Sequence, residues 1–168
     1  MKNINLKPDI IKHVLPDTGE FPNSSLPVKI YREAFLLPEK KRSKIIINIF
    51  SGNNWKNSWK NGIYNYHHYH STTHEVLGVY RGRAEVQFGG PAGVIDTISR
   101  GDAVIIPAGV AHKLISSSKN FKIVGAYPFG VEFNSLKGEE WDRPAADLDI
   151  RNARIPDKDP IYGNTFTW

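Results

Sequence analysis

The chain has 168 residues, 40% of them apolar and 23% charged, enough for one buried core and too apolar for a disordered segment. It has no cysteine, which excludes a disulfide framework, a thiolate zinc site and a cysteine nucleophile. The net charge of +5 is gathered early, with eleven Lys/Arg against five Asp/Glu in residues 1–61; its densest run, Lys40-Lys41-Arg42 with Lys44, reads as a solvated turn before a nucleic-acid contact.

In chain order, Lys7, Asp9 and Lys12 interrupt any leader-like apolar stretch at the start. No later run approaches the ~20 apolar residues of a membrane span, so the expectation is a soluble, cytoplasmic protein without a membrane or nucleic-acid partner. Residues 1–28, broken by Pro8, Pro16, Pro22 and Pro27, read as an irregular arm with one short helix around Pro8–Leu15. Lys29–Leu37 and Lys44–Phe50 read as strands, the second almost continuously apolar and therefore buried. Ser51–Gly62 reads as a loop carrying Trp55 and Trp59. Short strands then follow at Ile63–His70, Glu75–Tyr80, Ala84–Phe88, Val94–Ser99, Ala103–Ile106, His112–Ser116 and Phe121–Tyr127, punctuated by signals such as Gly89-Gly90-Pro91. Regular short strands with turn punctuation predict a sandwich or barrel over residues 29–130. Residues 131–168 read as an irregular C-terminal extension packed on that barrel.

Four of the six histidines, His67, His68, His70 and His74, fall within eight residues, and Glu75 follows directly. On an extended chain, residues two apart share a face. His68 and His70 therefore stand side by side, while His67 points away. Glu75, after a short Ser-Thr-Thr turn, can return a carboxylate to the same point, and His112 follows the rigid Pro107-Ala108-Gly109 turn. Nitrogen and oxygen donors without sulfur suit one divalent transition metal, Fe, Mn, Ni, Zn or Co. His74 could take the place of Glu75 if the turn runs differently, or stand behind the ligands as a hydrogen-bond partner or proton carrier. Tyr64 and Tyr66 share the parity of the pair and read as barrel core or as pocket lining. Trp59, with Trp55, reads as a lid over the mouth or as a cover for the core.

These residues resemble the cupins. Gly62, His68, His70, Glu75 and Gly82 match the first cupin motif; Gly101, Pro107, Gly109 and His112 match the second, with Ser116 where asparagine is usual, a change that bears on packing or pocket shape. The string Tyr66-His67-His68-Tyr69-His70-Ser71, the run His74–Val79 and the Asp159-Pro160 ending are similar to the small YjlB-like cupins. The resemblance implies an all-β fold, the cupin (RmlC-like) antiparallel β-barrel or double-stranded β-helix jelly roll, between irregular N- and C-terminal arms. It also implies metal ligation by His68, His70, Glu75 and His112, and a homodimer paired through Lys29–Leu37.

Four ligands leave two adjacent octahedral positions for water, O₂ or a bidentate oxygen ligand. The expected function is thus metal-assisted chemistry on a small, oxygen-rich or anionic molecule, an oxygenase first, an isomerase or decarboxylase next. The alternative is a non-catalytic metallo-barrel that binds or senses such a molecule. A metal-free, epimerase-like or storage-like barrel is disfavoured because all four ligands are present.

Overall fold

The computed structural model describes residues 2–168. Nine strands form two antiparallel sheets. The larger, in the order β1 (Ile10–Leu15), β2 (Ser24–Tyr31), β7 (Ala103–Ile106), β4 (Glu75–Arg81), β9 (Lys122–Pro128) and β3 (Trp55–Asn61), faces a three-stranded sheet of β6 (Val94–Ser99), β5 (Arg83–Phe88) and β8 (His112–Ser117). This is a jelly-roll arrangement, and strand alternation explains its layering. Leu77 and Val79 of β4, Val104 and Ile106 of β7 and Ile123 of β9 point between the sheets, against Val86 and Phe88 of β5 and Ile98 of β6. Their neighbours Val76, Ile105, Val124 and Ala126 point the other way.

That second face is also buried. Helix α1 (Arg42–Gly52) lies on it through Ile46 and Phe50, one turn apart, and the C-terminal tail adds Ile161 and Phe166. Side chains of this size contribute about 1.5–3 kcal/mol each when fully buried. Gly78 on β4 makes the helix seat close: a Cβ there would lie 2.7 Å from Ile46. Trp55 Nε1 donates to Lys158 O, Asn53 Nδ2 to Pro160 O, and Tyr31 Oη to Asp159, fixing the tail over the sheet.

The segments outside β4–β9 differ from expectation. Lys44–Phe50 is helix, because an Ile-rich run satisfies helical spacing as readily as strand alternation, and the outer sheet face needs a cover. Pro8–Leu15 carries β1 rather than a helix, and β2 begins already at Ser24, so the large sheet reaches into the N-terminal arm. Only Lys29–Tyr31 of the expected strand Lys29–Leu37 is strand, and β2 is internal, between β1 and β7. Ser51–Gly62 contains β3, an edge strand whose polar composition reads as loop. Ile63–His70 forms no strand beyond two single bridges, His68 with His112 and Tyr69 with Leu136. The C-terminal region contains one regular helix, α2 (Ala145–Asn152), whose Ala146 is buried against the cluster containing Tyr69.

Candidate metal centre

His68 and His112 are direct antiparallel partners: His68 N–H donates to His112 O at 3.3 Å and His112 N–H to His68 O at 2.9 Å. Opposed residues of such a pair project to one face, and their ring centroids lie 4.1 Å apart. His70 returns to that face two residues on, its ring 5.6 Å from each. All three are buried, with ligating nitrogens within 4.8 Å of one another. Gly109 N–H donates to His70 O at 2.8 Å, tying the turn before His112 to the His68–His70 segment. Glu75, opposite Ile106 at the start of β4, shares the inward parity of Leu77 and brings Oε2 to 3.3 Å from Nε2 of both His70 and His112.

Each imidazole is oriented from behind. Nδ1 of His68 meets Tyr66 O at 3.2 Å, Nδ1 of His112 meets Val110 O at 3.0 Å, and Nδ1 of His70 meets Asn134 O. A carbonyl only accepts, so each Nδ1 carries a proton and each ring turns its Nε2 inward. Glu75 Oε1 accepts from Tyr127 Oη at 3.1 Å, but Oε2 is buried without a hydrogen-bond partner. A buried carboxylate oxygen beside two imidazole nitrogens is costly unless a positive charge sits among them. The electrostatics show the same demand for positive charge. Burial alone would lower His70, yet the Glu75 charge raises it; burial opposes ionisation of Glu75, yet His70 and His112 hold it below the usual carboxylate range. His68 is pushed down to about 3 by burial and by His112, so it stays a neutral donor. The donor set of three imidazoles and a carboxylate fits a divalent transition metal.

Against known proteins, the cupin family profile matches residues 54–127, the stretch that carries all four side chains. The Bacillus subtilis protein YjlB is 41% identical over 152 residues, which cover 90% of this chain and 89% of YjlB. The chain belongs to the cupin family. Among solved structures, the epimerase RmlC from Legionella pneumophila, crystallised with dTDP-4-keto-L-rhamnose, is similar at a TM-score of 0.42 and 14% identity, over 77% of each chain. Bacillus subtilis oxalate decarboxylase, studied for its Mn(II) centres, is similar at a TM-score of 0.36 and 13% identity, over 66% of this chain and 23% of that one.

In this cupin the four side chains face a cavity of about 280 Å³ walled by Trp59, Ile63, Tyr64, Leu77, Tyr127 and Phe133, with Lys60 at its rim. Tyr64 is neither core nor buried, being 53% exposed; Tyr66 stacks on it from outside the cavity, so the barrel-core reading fails for both. Trp59 lines the cavity, and its Nε1, which can only donate, gives its hydrogen to Tyr127 Oη at 2.7 Å. The Tyr127 proton is thereby directed to Glu75. Burial and the Glu75 charge raise the Tyr127 pKa, so it stays a phenol.

Two expected residues lie elsewhere. Ser116 sits on the exposed part of β8, donating to Glu85 at 2.7 Å, away from the cavity. His74 has the outward parity of Val76; its Nδ1 accepts from Ala108 N–H at 2.9 Å and its ring packs on Trp168, so it neither replaces nor supports Glu75. His67 turns to Phe21, as parity requires. Sequence reasoning missed Tyr127, Phe133 and Asn134. Tyr127 was legible in principle, since it shares the inward parity of Ile123; Phe133 and Asn134 sit in an irregular segment with no periodic signal.

Proposed function

We propose that His68, His70, Glu75 and His112 together hold one divalent transition metal, and that this cupin uses it to act on a small oxygen-rich molecule, as an oxygenase in the first instance. The observation that carries the reading is Glu75 Oε2, buried, unpartnered and 3.3 Å from the Nε2 atoms of two imidazoles whose Nδ1 atoms are held by carbonyls. When bound, the metal supplies Lewis acidity and a place for oxygen donors. The chain supplies the rest. Tyr127 holds Glu75 by one oxygen, Leu77 and Ile63 keep the floor dry, and Lys60 draws anions to the rim. For a pair of subunits, β1 offers an edge of the large sheet with Ile10 and Val14 exposed, whereas the strand part of Lys29–Leu37 is internal.

One observation favours the alternative of binding without turnover. Every carboxylate and imidazole lining the cavity belongs to the donor set, which leaves no separate carboxylate or imidazole as general base. Elemental analysis of protein purified without added metal is expected to give about one equivalent of Fe, Mn, Ni, Zn or Co. Aerobic incubation with catechols, thiols and 2-oxo acids then separates the two: O₂ uptake supports the oxygenase, saturable binding without uptake supports the sensor. Absence of stoichiometric metal overturns both.

A further inference from the structure

The mouth of the cavity is built from exposed aromatic rings set against the ligands themselves. Tyr64 packs edge-on against His68, with centroids 5.0 Å apart at 77°, and Phe133 packs edge-on against His70, at 5.2 Å and 74°. Each is backed by a second ring: Tyr66 stacks on Tyr64 at 5.0 Å and 14°, and Tyr127 on Phe133 at 4.8 Å and 19°. The loops that carry them are tied down, through Leu114 N–H to Tyr64 O on one side and Ser71 N–H to Asn134 Oδ1 on the other. Yet Tyr64 remains 53% and Phe133 43% exposed. Fixed aromatic surface left in water at a cavity mouth marks a binding face.

The charges narrow the class further. Among the lining residues Glu75 is the only acid and Lys60 the only lysine or arginine. Lys137 adds a second cation nearby, its Nζ 4.9 Å from the Tyr66 ring centroid. A divalent ion with one carboxylate carries about one net positive charge, and Lys60 adds to it, so the cavity favours an anion.

Resting on the metal-site reading above, we infer that the ligand is an aromatic acid that bears a second oxygen beside its carboxylate, chelates through those oxygens, and seats its ring between Tyr64 and Phe133. Aromatic contacts of this kind give roughly 2- to 12-fold in affinity beyond the area they bury. A saturated ring of the same size obtains only the area.

The test compares three 2-oxo acids with one chelating group: benzoylformate, its cyclohexyl counterpart and pyruvate, titrated calorimetrically into the Ni(II)-loaded protein. Benzoylformate is expected to bind at least about ten-fold more tightly than pyruvate, with the cyclohexyl acid between them. Replacing both rings, Tyr64→Ala with Phe133→Ala, should bring the benzoylformate-to-pyruvate ratio to about two-fold or less while nickel stoichiometry and melting temperature are kept. Lys60→Met should weaken all three acids by a similar factor. Equal affinities, no binding of any of the acids to the nickel-loaded protein, or a ratio indifferent to loss of both rings would overturn the inference while leaving the metal site standing. Failure to take up nickel at all would overturn the metal-site reading and the inference with it.

Discussion

Removing the Tyr127 hydroxyl would leave Glu75 Oε1 without its donor and free the carboxylate to swing, because Trp59 cannot reach past Tyr127 to replace it. Tyr127→Phe is therefore expected to lower metal affinity by about 10–100-fold, the usual effect of losing a partner that orients a ligand, and competition titration with a chelating dye would measure it. His112→Ala should abolish stoichiometric metal, whereas His67→Ala should leave metal content unchanged, since His67 lies against Phe21. Elemental analysis of the two variants checks both. The shared face of His68 and His70 was legible because spacing of two along an extended chain survives without a sheet ladder: both turn inward although Ile63–His70 is not a strand. What turns the rings was not legible. Tyr66, Val110 and Asn134 act through backbone carbonyls, which leave no mark in residue identity.

Strands β4 to β9 were readable because short apolar runs between glycine and proline turns admit little else; β6 and β7 have the bounds the sequence predicts. Strand β3 was not. Its register passes from Lys56 opposite Tyr127 to Trp59 opposite Gly125, one extra residue on β3, with Asn57 at φ 56°. Such a bulge flips the face on which later side chains stand. Trp55 therefore joins the outer layer and Trp59 the cavity, although four residues apart they would share a face in an unbroken strand. Gly125 makes this possible, since a Cβ there would collide with the Trp59 indole. Gly125→Ala is expected to cost about 1–3 kcal/mol as overpacking, read from the urea midpoint. It should also shift the tryptophan fluorescence as Trp59 leaves Tyr127.

For the molecule as a whole, the two sheets are joined at one edge by a charged cluster. His13 of β1 lies 2.9 Å from Asp96 of β6, and Arg32, just after β2, reaches both Asp96 at 2.6 Å and Asp102 at 2.9 Å. Burial opposes the charge on Asp96, but His13 and Arg32 prevail and hold its pKa below the ordinary value of roughly 3.9. A depressed carboxyl stabilises the fold above the unfolded-state pKa and loses that contribution as pH falls through the folded one. Asp96→Asn should therefore cost about 1–2 kcal/mol at pH 7, with the difference from wild type closing as pH falls below about 4, measured by urea denaturation.

The centre draws its side chains from three separate pieces of backbone: Glu75 from the six-stranded sheet, His112 from the three-stranded one, and His68 and His70 from an irregular segment bridged to the latter. An ion seated there would work as a clasp. Stripping it with a chelator should speed amide hydrogen exchange at residues 67–75 and 109–113 together, as a single opening event. Restoring it at about a hundred times its Kd should return roughly 2.7 kcal/mol of folding stability.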